Sequence, residues 1–122
     1  MANEIYKIAI CDDSEADSEY IAVLVKDWAK DRIIQIKTYP SAEAFLFNYA
    51  DEKDFDILLL DIEMGNMDGV TMAKAIRKDN ETVQIVFITG YSDYIADGYD
   101  VAALHYLIKP VKKEQLWRSE ER

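Results

Sequence analysis

Cysteine, histidine, proline and glycine are all scarce in this chain: one, one, two and four among 122 residues. A single cysteine excludes an internal disulfide framework. So few glycines and prolines, in a sequence that is 50% hydrophobic, argue against disorder and for a packed domain. Bases are the minority charge, 14 Lys and Arg against 24 Asp and Glu, for a formal net charge of −10. That balance disfavours nonspecific association with nucleic acid or an anionic membrane. Long apolar runs are missing too. The longest purely aliphatic one, Ile57 to Leu60, is far short of the ~20 residues that span a bilayer. No basic-then-apolar leader opens the chain, and it has no internal repeat, linker, low-complexity segment or glycine-rich phosphate loop. One cytoplasmic domain is the expectation, since a chain of this length buries roughly two thirds of its unfolded surface.

What is present is an alternation of short apolar strands with helical stripes. Ile5 to Cys11 forms a first strand, closed by Asp12 and Asp13. Ser14 starts a helix whose buried stripe is Ile21, Leu24, Val25 and Trp28, with Asp17 in the capping-box position three residues on. Ile33 to Tyr39 is a second strand, stopped at Pro40, and Ser41 is a candidate N-cap for a helix that buries Ala44, Phe45 and Tyr49 or nearby residues. Phe55 to Leu60 is a third strand running into Asp61; Gly65 to Gly69 is a loop, and Val70, Ala73 and Ile76 mark a third helix. Val83 to Ile88 is a fourth strand, ending at Thr89 and Gly90. A weaker helix through Tyr94, Ile95 and Gly98 follows, then a fifth strand from Leu104 to Ile108, Lys109-Pro110, and a last helix from Lys113. The pattern is (βα)5. Strands apolar on both faces, alternating with helices, specify a doubly wound α/β fold with a parallel sheet covered on each side.

The polar residues then collect in one place. The first strand ends in Asp12-Asp13, the third in Asp61, the fourth in Thr89 and the fifth in Lys109. Ligands of open α/β sheets bind at the carboxyl ends of strands, so these residues converge on one site. Five acids lie between Asp12 and Glu19 with no base among them. The positive end of a helix accounts for Glu15, Asp17 and Glu19, but not for an adjacent acid pair closing an apolar strand. Three carboxylates at close range repel, and Mg²⁺ relieves that repulsion with oxygen ligands. A hydroxyl and an ammonium beside them suit a phosphoryl group, whose transfer needs mostly positioning and charge neutralisation.

At these residues the chain resembles the receiver domain of two-component response regulators, over essentially its whole length. The resemblance is carried by Asp12-Asp13, by Asp61-Ile62-Glu63-Met64-Gly65-Asn66-Met67-Asp68-Gly69, by Thr89-Gly90 and by Tyr106-Leu107-Ile108-Lys109-Pro110. It implies a flavodoxin-like strand order of 2-1-3-4-5. It implies that Asp61 accepts a phosphoryl group from a sensor histidine kinase. Mg²⁺ would be held by Asp13, Asp61 and the main-chain carbonyl of Glu63, with Asp12 assisting through water. Thr89 and Lys109 would bind phosphoryl oxygens with Gly90 leaving the approach open, and Tyr106 would be an aromatic switch partnering Thr89. The Lys109-Pro110 bond is a candidate cis peptide. The run from Tyr91 to Tyr94 and from Gly98 to Pro110, with Ala9-Ile10-Cys11-Asp12-Asp13, looks like receivers attached to LytTR-type, AlgR-type transcription regulators. DNA would then be reached only through an output domain beyond residue 122, and the ending inside or just after the last helix favours a piece of a longer protein over a stand-alone receiver. Where the family often has proline, four residues after the acceptor, this chain has Gly65, which puts the rigidity of that loop in question.

Further expectations attach to single residues. Cys11 is a small buried hydrophobe, His105 is structural, and Met64 and Met67 pack the acceptor loop. Four tyrosines (91, 94, 99 and 106) cluster where the fourth helix, fifth strand and fifth helix would form a face that responds to phosphorylation and could pair two copies. Tyr91 beside the site would slow hydrolysis of the acyl phosphate. Beyond self-catalysed phosphotransfer and autodephosphorylation no enzyme activity is expected. The rival readings are an unphosphorylated interaction module and a phosphatase of the haloacid-dehalogenase type; the latter wants a second Asp where Glu63 stands, and a cap domain for which there is no room.

Overall fold

The computed structural model describes residues 5–29, 32–90, 105–109, 111 and 112. Within them lie five strands and three helices in alternation: β1 (Ile5–Cys11), α1 (Glu15–Ala29), β2 (Ile33–Tyr39), α2 (Ala42–Tyr49), β3 (Ile57–Leu60), α3 (Gly69–Arg77), β4 (Gln84–Thr89) and β5 (His105–Ile108). The strands form one sheet in the order β2-β1-β3-β4-β5, every pairing parallel, as expected of the doubly wound fold. The expected helices through Tyr94 and from Lys113, and the Lys109-Pro110 bond, lie outside the described residues.

Alternation along each strand divides the core into two layers. Ala9, Cys11, Leu58, Leu60, Ile85 and Phe87 face the layer that α2 and α3 close with Phe45, Tyr49, Met72 and Ile76. Ile8, Ile10, Ile57, Leu59, Val86 and Ile88 face the layer that α1 closes with Ile21, Leu24 and Val25. The central strand β3 is buried along its whole length, which is why its four residues are all aliphatic. Phe55 is buried as well, but by tilted packing on the Phe45 ring at 5.5 Å; strand pairing starts two residues later, at Ile57. Ser41 caps α2 by accepting from the Ala44 amide, and Asp68 caps α3 by accepting from Thr71.

The sheet ends carry the backbone a step past the regular ladder. The Asp61 amide donates to the Cys11 carbonyl at 2.9 Å, and the Asp12 amide to the Tyr39 carbonyl at 3.1 Å. The Lys109 amide likewise donates to Thr89 at 2.8 Å. These bonds draw the first polar residue after β1, β3 and β5 to one edge, over the topological switch between β1 and β3.

Candidate functional site

Asp12 and Asp61 are both buried, at 3% and 7% exposure, while Asp13 beside them is exposed. Oxygen atoms of all three carboxylates lie within 4.8 Å of one another. Lys109 reaches into the group, its Nζ 2.8 Å from Asp12 Oδ2 and 3.1 Å from Asp61 Oδ2. The other oxygen of Asp61, Oδ1, accepts from the Ile62 amide at 2.7 Å, so the carboxylate is pinned from its own backbone on one side and from Lys109 on the other. A cavity of about 540 Å³ opens over these atoms, lined by Asp13, Asp61, Glu63, Gly65, Gly90 and Lys109. The expected acid triad, Lys109, Gly90 and Glu63 are therefore gathered at one place.

Among the described residues the group is short of positive charge. Burial raises the Asp12 pKa, and the negative charge of Asp61 adds to that rise, although bonds from Lys109 and from the Ser14 amide oppose it. Burial works against the Lys109 ammonium, but its bonds to Asp12, Asp17 and Asp61 outweigh that and hold its pKa above the ordinary lysine value. Three carboxylates with hard oxygen donors and one ammonium fit a small divalent cation such as Mg²⁺. Asp12, Asp13 and Asp61 could hold it, and it would supply the charge neutralisation that one lysine cannot.

Thr89 is fully buried at the end of β4, and it is its neighbour Gly90 that lines the cavity. Tyr106 sits opposite Phe87 in the β4–β5 register, on the same face as Thr89, with the Phe87 and Tyr106 ring centres 6.0 Å apart. It is half-buried against the core layer of α2 and α3. Met64 is buried and Met67 packs on the same layer, so both do belong to loop packing. Cys11 is fully buried, and burial pushes its thiol pKa up.

Three features were not apparent from sequence. Gly69, the first residue of α3, has its amide on the Ile62 carbonyl, and a Cβ there would stand 2.1 Å from the Asp61 carbonyl oxygen. Only glycine lets the helix start this close to the acid. Gly65 adopts φ +91°, a conformation open to glycine and closed to proline, whose ring fixes φ near −65°. Glycine at this position thus gives the loop a different path, not merely a looser one.

The third is Asp17. Its amide donates to the capping Ser14 Oγ at 3.2 Å, but its carboxylate does not return to the Ser14 amide as a capping box would. Asp12 Oδ1 takes that amide at 2.9 Å, and Asp17 Oδ2 turns to Lys109 Nζ at 2.8 Å. An acid read as helix-end solvation is therefore a third partner of the site lysine.

Known proteins agree with this geometry. The family model for the response regulator receiver domain matches residues 8–119. The transcriptional regulatory protein NatR of Bacillus subtilis is 30% identical over 116 residues, 95% of this chain and 48% of that protein. The sensory transduction protein LytT of Bacillus subtilis is 29% identical over 110 residues, 90% of this chain and 44% of that one. The chain thus spans about half the length of these curated relatives. A receiver domain from Clostridium thermocellum has the same fold, with a TM-score of 0.82 at 21% identity, covering 93% of this chain and 90% of that one. No helix among the described residues is long and apolar enough to cross a membrane. With an acid triad and a lysine at the carboxyl edge of a 2-1-3-4-5 sheet, the chain belongs to the response regulator receiver domain family.

Proposed function

We propose that the chain is a phosphorylation-dependent signalling switch in which Asp61 accepts a phosphoryl group from a sensor histidine kinase in a Mg²⁺-dependent reaction. The observation that carries this reading is the Asp61 carboxylate itself: buried at the end of β3, pinned by the Ile62 amide and by Lys109, and opening onto the cavity with Asp13. An Asp61 oxygen attacks phosphorus in line; the bond to the donor's leaving group breaks and an acyl phosphate forms. Asp12, Asp13, Asp61 and the Glu63 main-chain carbonyl would hold Mg²⁺. Lys109 neutralises a phosphoryl oxygen, and the Thr89 hydroxyl donates to another once its side chain turns toward the cavity. Tyr106, on the same face as Thr89, moves with it, so the phosphoryl group shifts a conformational equilibrium and does not build a new structure.

The output we infer is transcriptional and LytTR-type, through a domain outside these residues, as the names of the curated relatives suggest. A cytoplasmic setting and pairing of two copies through the face containing β5 belong to the same reading. Unchanged sedimentation with and without a phosphoryl mimic would remove the pairing.

The test is intact mass after incubation with acetyl phosphate and Mg²⁺. One added phosphoryl, lost in Asp61→Asn and on chelation of the metal, is the expected result. Turnover of many phosphates would replace the reading with a phosphatase, and no modification at all would replace it with an unphosphorylated interaction module.

A further inference from the structure

The site lysine has more acceptors than the transfer chemistry asks for. An ammonium carries three protons, and Asp12, Asp17 and Asp61 accept all three, at 2.8, 2.8 and 3.1 Å. A phosphoryl oxygen can bind Lys109 only by displacing one of them. Asp12 and Asp61 belong to the acid triad suited to a divalent cation, and Asp17 does not. Their side chains also differ in setting: Asp12 and Asp61 are 1% and 8% exposed, and Asp17 is 46% exposed. Water can replace the lost partner of Asp17 at little cost, whereas a buried carboxylate left unpaired is expensive.

The fold holds Lys109 between two spaces. On one side is the cavity lined by Asp13, Asp61 and Gly90; on the other is a second, of about 310 Å³, lined by Asp17, Tyr20, Ile21, Ile88 and Val111. Lys109 lines both. Helix α1 grips the segment after β5 at two points one turn apart, Asp17 on Lys109 Nζ and Tyr20 Oη donating to the Val111 carbonyl at 2.9 Å. The second bond fixes the backbone near Lys109, which leaves the first to set where the ammonium rests.

We propose that Asp17 is a positioning residue that competes with the phosphoryl group for Lys109. Before phosphorylation it draws the ammonium toward α1, which lightens the claim of Lys109 on Asp12 and Asp61 and leaves those carboxylates available to the metal ion. When the phosphoryl group arrives, Asp17 is the acceptor that gives way. Asp17 thereby acts in opposite senses on the two ligands: the cation binds more readily, and the anion has to win its lysine. This inference rests on the receiver reading and deepens it.

The test is an equilibrium titration of the whole chain, first with Mg²⁺ alone and then with beryllofluoride at saturating Mg²⁺. Asp17→Asn keeps the shape and removes the charge. It should weaken Mg²⁺ alone roughly two- to fivefold and tighten beryllofluoride roughly three- to tenfold, the size expected of one partly screened charge contact. Opposite signs are the signature, because damage to the fold weakens both. Asp17→Glu should return both affinities toward the parent values. On a Lys109→Gln background, Asp17→Asn should change beryllofluoride affinity less than twofold. Affinities that fall together, that do not move, or that shift as much without Lys109 overturn the proposal. If the parent chain itself takes no beryllofluoride, the receiver reading fails, a result distinct from any of these.

Discussion

Two lysine-centred networks stand at opposite ends of the sheet, and they differ in charge balance. At the amino end, Lys7 bonds Glu52 and Asp54, and Lys37 bonds Glu52 at 2.7 Å, so two ammoniums meet two carboxylates. Asn48 adds a bond to Glu52, and Lys7 also lies 4.9 Å over the Phe55 ring. At the carboxyl end one ammonium faces Asp12, Asp17 and Asp61, with Asp13 alongside. The residue types are the same. The first arrangement is complete as it stands and braces the α2–β3 connection against β1 and β2. Among the described residues the second is in deficit, and the deficit is what suits it to a cation. Among so many acids, a shortage of local countercharge marks the candidate site better than acidity does.

The largest effect should come from removing Lys109. Lys109→Met should slow acetyl-phosphate labelling of Asp61 on the order of 100-fold, measured by intact mass over time, while Lys7→Met leaves the labelling rate alone. Equal losses from the two would erase the distinction between the networks. The next effect is on backbone approach. Gly69→Ala places a methyl 2.1 Å from the Asp61 carbonyl, and should destabilise the fold by about 1–3 kcal/mol in urea titrations. It should also slow labelling, because the same shift moves the acceptor.

The smallest effect lies at the balanced end and is seen in acid. Hydrogen bonds from Lys37, then Lys7 and Asn48, hold the Glu52 pKa down to about 2. An acid whose folded pKa is depressed stabilises the fold above its unfolded value, about 4.3, and loses that contribution as pH falls toward 2. Glu52→Gln should therefore flatten the acid limb of a stability-against-pH curve, lowering stability modestly at neutral pH and changing little near pH 2. Asp12 slopes the other way, since burial raises its pKa and its ionised form weighs against folding as pH rises. Adding Mg²⁺ should remove the Asp12 slope and leave the Glu52 slope, which separates the two networks in one experiment.

Much of this was legible in the sequence because two periodicities agree. β1 and β2 fall on Ile5–Cys11 and Ile33–Tyr39, as their apolar runs indicate, and the acids that close the runs of β1 and β3 mark the candidate site. Asp17 was hidden because the Ser14 amide has two candidate acceptors. Asp12, two residues back, took it in the manner of an Asx turn, and this released Asp17 to a partner 92 positions away. Gly65 was misjudged for a related reason: a sequence shows that a residue is permissive but not which backbone angle calls for it. Gly69 read only as a loop end, since a close approach between backbones leaves no mark in composition.

The one cysteine gives the site a natural stopwatch. Cys11 has no exposed surface, its carbonyl is bonded by the Asp61 amide, and it precedes Asp12 directly in the chain. With no second thiol to compete, a thiol reagent in solution can react only as often as the floor beneath the acids comes open. The pace of that labelling is a clock for local opening, and any ion or phosphoryl group that binds the closed form must slow it by simple mass action.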